Sequence, residues 1–404
     1  ARKSRWSSDE DDSDQDEKGA SLAAVIPGGA MSGGDAGAAA SIAASDPIAT
    51  GGGDVAPSIS GAGSRDVARP RRTHAENAHI PLFHGCRSVE NYQRLNYISA
   101  GTYGVVFRAM DKASGDVVAL KQIKFDQTEA KQGFPTTALR ETNILLALQH
   151  PNIIRVREMV VGSSVDKVFM VMDYLENDLK YCMDSMTQPF TLAETKTLML
   201  QILRAVDHMH ERWYIHRDLK TSNILYGNSG NLVVCDFGMA RKYGSPLMPY
   251  TFEVITLWYR PLELLLGSRV YSTAVDMWSV GCIFGEILTR KPLFPGEGEI
   301  DQITKICRVL GAPNENNMPG FSSLPDISKI SWKAPSKGKL RELFPHKSFA
   351  GGVYLNDTGF DLLSKLLLLD PKARMSSKEA LNHPWFTEAP LPCPKEHMPT
   401  FKSR

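Results

Sequence analysis

A chain of 404 residues that is 42% hydrophobic and 23% charged has apolar material for a large core and the length of roughly two to three domains or lobes. Its formal net charge of +1 gives no electrostatic pointer to nucleic acid or to a membrane surface, and no segment reaches the roughly 20 consecutive apolar residues of a bilayer span. Six cysteines, Cys86, Cys182, Cys235, Cys282, Cys307 and Cys393, lie apart without a Cys-x-x-Cys pair, which gives no zinc or disulfide pattern and fits a reducing compartment. The first residue is Ala1, which reads as a fragment or a processed chain.

Residues 1–84 differ in composition from everything that follows. An acidic block, Asp9 to Glu17, leads into an Ala/Gly/Ser tract and then into Arg69-Pro70-Arg71-Arg72. So little apolar surface cannot offset chain entropy, so this extension is expected to be disordered. Ser7, Ser8 and Ser13 beside carboxylates are candidate sites for an acid-directed kinase, and the arginines fit nuclear import or a nucleic-acid contact; a solvated tail without a partner fits as well.

Order is expected from about Cys86. Leu95 to Arg108 reads as strand, glycine turn and strand, with Gly101 and Gly104 allowing close backbone approach to a ligand. The next strand, Val117 to Lys121, ends in a lysine within an apolar run, where an unpaired ammonium would be costly. Glu141, on a helix beginning near Pro135, is the expected partner. Met170 to Leu175 reads as a strand running into a linker. Thr191-Leu192-Ala193-Glu194 is a capping box that opens a long helix, with Leu200, Leu203 and Val206 among its apolar positions.

That helix delivers the chain to His216-Arg217-Asp218-Leu219-Lys220-Thr221-Ser222-Asn223. A carboxylate at Asp218 can orient and deprotonate a hydroxyl, Lys220 can neutralise charge on a transferred phosphoryl group, and Asn223 can hold a magnesium ion. After the apolar run Leu232-Val233-Val234, Asp236-Phe237-Gly238 supplies a second metal ligand, an acidic one, at a strand end. A charged turn would explain either stretch alone; their order along the chain, behind the glycine turn, Lys121 and Glu141, is the order phosphoryl transfer needs. Further on, Ala274 to Leu288 is apolar nearly all round, so it is expected to be central, with Asp276 in its first turn able to accept backbone N–H groups. Shorter helices are expected to Phe386, and Pro390 to Pro394 starts an extended tail.

From about Gly85 to Met398 the chain resembles a cyclin-dependent protein kinase, most closely the PITSLRE class and its plant relatives. The resemblance rests on Gly85 to Glu90, on Pro135-Thr136-Thr137-Ala138-Leu139-Arg140-Glu141, on Asp218 to Asn223 and on Tyr243-Gly244-Ser245-Pro246-Leu247. It implies an α+β, two-lobed kinase fold: a disordered extension 1–84, an N-lobe 85–175, a C-lobe 176–386 and an extended tail 387–404. Catalytic roles are implied for Asp218, Lys220, Lys121, Glu141 and Thr256. ATP would be lined by Ile98, Gly101, Gly104, Val106, Ala119, Lys121, Met172, Asp173, Leu175, Asp178 and Leu225, and Mg2+ held by Asn223 and Asp236.

The resemblance also implies a cyclin, of the L type, against the helix of Glu141, and an upstream kinase that phosphorylates Thr251. Arg140, Arg217 and Arg241 would clamp that phosphate, whose charge of about −1.5 to −2 relieves their mutual repulsion. Thr102 and Tyr103 match inhibitory phosphosites. In similar kinases the residue at Ile255 is left-handed with its carbonyl turned to the arginine matching Arg260, which favours Ser/Thr-Pro substrates because proline has no N–H to satisfy. Work in transcription, RNA splicing or the cell cycle is implied, in the nucleus and also the cytoplasm, with no direct nucleic-acid or membrane partner.

Two departures bear on this. Ser99 stands where the first glycine is usual, and Pro261-Leu262-Glu263 stands where the family has Ala-Pro-Glu, which puts the substrate floor in question although Glu263 and its expected partner Arg374 remain. A pseudokinase scaffold is therefore the rival from another class. A mitogen-activated type kinase ranks lower, since Thr251-Phe252-Glu253 lacks the Thr-x-Tyr pair.

Overall fold

Alternation along Val117-Val118-Ala119-Leu120-Lys121 sends Val118 and Leu120 to one face of a sheet and Ala119 and Lys121 to the other. The computed structural model, which describes residues 85–101, 104–124, 135–164, 167–247, 254–330, 337–347 and 353–403, puts these two faces to different uses. Strands β1 (Arg87–Ser88), β2 (Tyr92–Gly101), β3 (Gly104–Asp111), β4 (Val117–Ile123), β5 (Val156–Val161) and β6 (Val168–Asp173) form one sheet in the order β1-β5-β6-β4-β3-β2. On one face Tyr92, Phe107, Val118, Leu120, Phe169 and Val171 bury one another. On the other the register sets Val106 opposite Lys121 and Ala119 opposite Met172, so these four share the face that lines the cleft.

The sequence reading has no element at Arg87–Ser88, which pairs in parallel with β5. Two residues carry no periodicity to read. What fixes them is the Arg87 guanidinium, which reaches Asp111 at 2.8 Å and Glu158 at 2.9 Å.

Between β4 and β5, helix α1 (Thr136–Ala147) starts one residue after Pro135, which occupies the cap. It buries Ala138, Glu141, Ile144 and Leu145, while Leu139 and Leu146 are exposed.

The carboxy-terminal half is helical, as expected. Chain order runs β7 (Asn177–Asp178), α2 (Leu179–Ser185), α3 (Leu192–Glu211), β8 (Tyr214–Ile215), β9 (Ile224–Tyr226), β10 (Leu232–Val234) and β11 (Arg241–Lys242), then α4 (Leu262–Leu265), α5 (Ala274–Thr289), α6 (Glu299–Leu310), α7 (Leu340–Leu343), α8 (Asp357–Leu366) and α9 (Ser377–Leu381). The predicted capping box is present: the Glu194 amide donates to the Thr191 hydroxyl, and the Thr191 amide to the Glu194 carboxylate. Every residue of α5 from Ala274 to Leu288 is buried, which is what an all-round apolar helix requires. Two small sheets, the three-stranded β10-β9-β7 and the two-stranded β11-β8, hold the loops that face the cleft.

Residues 387–403 contain one 3-10 turn, Lys395–His397, and otherwise run without helix along α3, where the Cys393 amide donates to the Ala193 carbonyl at 3.0 Å. The six cysteines are free, and no helix among the described residues is long and apolar enough to cross a membrane.

Candidate active site

The loop from His216 to Asn223 is bolted to the core beneath it through α5. Backbone amides of His216 and Arg217 donate to the two Asp276 oxygens at 2.8 and 2.9 Å, and the His210 ring lies 3.0 Å from the same carboxylate. Burial pushes the Asp276 carboxyl up, but these hydrogen bonds outweigh it and hold the group below the usual carboxylate range. Arg217 takes a left-handed φ of 66°, and its guanidinium donates to the Met239 carbonyl and to the Tyr271 hydroxyl, both at 2.8 Å. A second tie was not foreseen. Tyr259 donates to Glu286 at 2.6 Å and the Thr221 hydroxyl donates to the same carboxylate at 3.2 Å. Burial raises the Glu286 carboxyl above its usual range, with these two donors offsetting part of the rise. A lone carboxylate inside the apolar run Val280 to Leu288 was the available signal.

Asp218 sits at the convergence of donors. Lys220 Nζ is 2.9 Å from Oδ2, Asn223 Nδ2 is 3.0 Å from the same oxygen, and the Thr256 hydroxyl donates to Oδ1 at 2.7 Å. Lys220 Nζ also reaches Thr256 Oγ1 at 3.1 Å, so loop and activation segment are joined at the carboxylate. Such fixing leaves the carboxylate oriented before any substrate arrives.

Across the cleft Lys121 Nζ lies 2.7 and 2.9 Å from the Glu141 oxygens and 3.8 Å from Asp236 Oδ1. Burial pulls the ammonium down, yet Glu141 and then Asp236 raise it more, so the lysine stays charged. Asp236 has φ 61°, and its buried Oδ1 has no hydrogen-bond partner among the described residues. With only Lys121 at 3.8 Å beside it among the described residues, this oxygen keeps its lone pairs for a metal cation. With Asn223, whose amide nitrogen is spent on Asp218 so that its oxygen is what it offers, the donor set is the hard oxygen chemistry that suits Mg2+.

Part of the expected nucleotide lining falls on the cleft face. Val106, Ala119 and Met172 share it with Lys121, and Ile98 lies at the register shift between Tyr97 and Ser99 in β2. A Cβ at Gly104 would collide with the Gln122 carbonyl, which is why that strand end tolerates only glycine. Gly101 pairs with Gly104. Asp173 ends β6, Leu175 follows it, and Leu225 lies in β9 opposite Asp178. Asp178 has a duty besides the nucleotide contact expected of it: its Oδ1 accepts the Tyr181 amide at 2.8 Å and caps α2.

At the substrate floor Ile255 has φ 69°, and its carbonyl accepts from Arg260 Nε at 3.2 Å and Nη2 at 3.1 Å. Pro261 leaves this contact in place: Arg260 is extended, as a residue before proline must be, and Pro261 serves as the cap of α4. Glu263 and Arg374 pair bidentately at 2.8 and 3.0 Å, both buried, and anchor the segment. Of the three arginines, Arg241 lies opposite Ile215, two residues from Arg217, and α1, which carries Arg140, packs against the Phe237–Met239 turn. Thr102, Tyr103 and Thr251 lie outside the described residues.

Residues 92–386 match the family model described as protein kinase domain. The chain is 53% identical over 332 residues to "Cyclin-dependent kinase G-1" of Oryza sativa subsp. indica, covering 82% of this chain and 48% of that protein. It is 53% identical over 326 residues to "Cyclin-dependent kinase 11B" of Homo sapiens, covering 81% and 40%. The protein of that name in Rattus norvegicus is 52% identical over 326 residues, covering 81% of this chain and 73% of the rat protein. The chain thus spans less than half of the rice and human relatives.

Proposed function

Because the chain belongs to the protein kinases, in the cyclin-dependent branch with the G and 11 (PITSLRE-type) members, we propose that it transfers the γ-phosphate of Mg-ATP to a serine or threonine followed by proline, under control of a cyclin and of a phosphate on Thr251. The observation that carries this reading is the Asp218 carboxylate, fixed by Lys220, Asn223 and Thr256. Asp218 orients the substrate hydroxyl and takes its proton; Lys220, at hydrogen-bond distance from both Asp218 and Thr256, offsets charge on the phosphoryl oxygens. Lys121, kept charged by Glu141, holds the nucleotide phosphates. Asn223 and Asp236 would hold Mg2+, which when bound would neutralise phosphate charge.

Selection of proline is supported by Arg260, which occupies the Ile255 carbonyl, so a substrate N–H at the next position finds no acceptor there. A cyclin contact on α1 is supported by Leu139 and Leu146, which are 40% and 57% exposed. Lys121 and Glu141 are paired at 2.7 Å in the structure, so the cyclin need not bring them together. Its task is to hold α1 once there. Arg140, Arg217 and Arg241 would receive the Thr251 phosphate, added by an upstream kinase. An L-type cyclin and nuclear work in transcription or RNA splicing complete the proposal.

Asp218→Asn tests it. The variant is expected to keep Mg-ATP binding within about twofold while losing transfer by at least about 1000-fold, since the base goes and the phosphate contacts stay. Full turnover by the variant in the activated complex would overturn the assignment.

A further inference from the structure

The segment from Glu388 to Ser403 is held by side chains at many points along its length. Buried Lys196 donates to the carbonyls of Glu388 and Pro390, both at 2.7 Å, and the Thr197 hydroxyl donates to the Cys393 carbonyl at 2.6 Å. Lys395 reaches Asn231 at 2.7 Å, and Tyr226 donates to the Pro399 carbonyl at 2.6 Å. Asn228 then reads the backbone of Phe401 as a strand would: its amide nitrogen donates to the carbonyl at 2.9 Å and its oxygen accepts the N–H at 2.7 Å. The Phe401 ring meets Tyr226 and Phe190 edge-on, with centroids 5.5 and 6.3 Å apart. Gly230, at φ 75°, admits the strap because a Cβ there would collide with the Lys395 carbonyl.

The strap ends at the linker between the two halves of the cleft. Ser403 Oγ is 3.0 Å from the Tyr174 hydroxyl, and the Arg108 guanidinium of β3 lies 5.0 Å from the Tyr174 ring centroid. Tyr174 is thereby gripped from both halves, between Asp173 and Leu175. Behind this linker lies an open cleft of about 610 Å3, lined by Pro151, Arg155, Tyr174, Glu176 and Asn231 among others. Leu175 packs against the core of the helical half, and the strap adds a contact at Tyr174.

We propose that Phe401 and Ser403 are positioning residues for the nucleotide: the strap fixes Tyr174, and with it the backbone of Asp173 and Leu175 against which the adenine would lie. The inference rests on the reading of the cleft as an ATP site. A linker fixed beforehand does not lose freedom when the nucleotide binds, so the strap acts on affinity and not on the transfer step.

Calorimetric titration with Mg-ATP tests this on the intact chain, on a chain ending at Met398, and on Phe401→Ala, Phe401→Tyr and Ser403→Ala, with thermal unfolding of each to show that it is folded at the titration temperature. The shortened chain and Phe401→Ala are expected to bind about fivefold more weakly, the worth of one ordinary hydrogen bond, Ser403→Ala about twofold, and Phe401→Tyr as the intact chain does. Should the shortened chain or Phe401→Ala fail to fold, Ser403→Ala, which deletes one hydroxyl near the end of the chain, still decides. Folded variants with unchanged affinity overturn the strap while leaving the ATP site standing. An intact chain that binds no Mg-ATP overturns the ATP site itself and the strap with it.

Discussion

Two helices bring buried carboxylates to the site, and Asp276 on α5 and Glu141 on α1 are held in opposite ways. Asp276 rides on α5, whose residues from Ala274 to Leu288 are buried on all sides, and it is spent on backbone amides of the catalytic loop. Glu141 rides on α1, which buries one stripe and leaves Leu139 and Leu146 in solvent, and it is spent on a single side chain, Lys121. The difference lies in what each carboxylate would take with it. Moving Asp276 means opening the core of the helical half; moving Glu141 means sliding a helix across one face. Chemistry is thus built into the helical half, and the contingent contact sits where a partner can reach it.

The largest break in this comparison should come from Asp276→Ala. It leaves two buried amides without an acceptor, so a loss of about 3–5 kcal/mol is expected in denaturant unfolding, with transfer reduced at least about 100-fold as the loop loses its seat. A loss within experimental error would mean the loop is not held through α5. The same residue gives a pH dependence. Because the Asp276 carboxyl sits below its ordinary value of 3.8, its stabilisation is present above that value and disappears as the pH falls through the lower, folded one. An acid titration of stability should therefore show a component that Asp276→Asn lacks.

Glu141→Gln should cost less. The amide can still accept from Lys121 but loses the charge, so a drop of about tenfold in transfer is expected, with unfolding changed by about 1–2 kcal/mol, because only one partially replaceable contact weakens. Lys121 sets the opposite pH limb: raised above its ordinary value of 10.5, it contributes below that value and is lost only as the pH rises through the folded one. A change in stability as large as that of Asp276→Ala would erase the distinction between the helices.

The smallest effect is expected at Pro261 and Leu262. Arg260 keeps the Ile255 carbonyl and Glu263 keeps Arg374, so the double change Pro261→Ala with Leu262→Pro should leave the preference for a Ser-Pro over a Ser-Ala peptide within about twofold. A marked gain in selectivity would show that the shifted proline disturbs the floor after all.

How much could be read from residues alone follows the same division. The catalytic loop and Asp236 were legible from their order along the chain, Lys121 as an ammonium in an apolar run whose cost demands a partner, Glu141 as that partner, and Asp276 from its place in the first turn of an apolar helix. The capping box of α3 and the burial of α5 were legible as local pattern. Glu286 was visible as a lone carboxylate, yet its partners Tyr259 and Thr221 lie 27 and 65 residues away in sequence, and nothing local names them. The strap was read only as extended: proline content fixes that much, but its anchors Lys196, Thr197, Tyr226 and Asn228 are ordinary residues whose role appears only when the chain returns to them. The worry over Pro261 came from counting positions in a motif; the backbone shows that a residue before proline is already in the geometry that Arg260 needs.

Hydrogen exchange of the isolated chain, read amide by amide, tests the comparison most directly. Amides of Leu139 to Ala147 in α1 should exchange through local openings at least about tenfold faster than those of Trp278 to Leu288 in α5, whose exchange should need global unfolding. Equal protection in the two helices would contradict the account, because Glu141 would then be as firmly built in as Asp276 and nothing would remain for a partner to control.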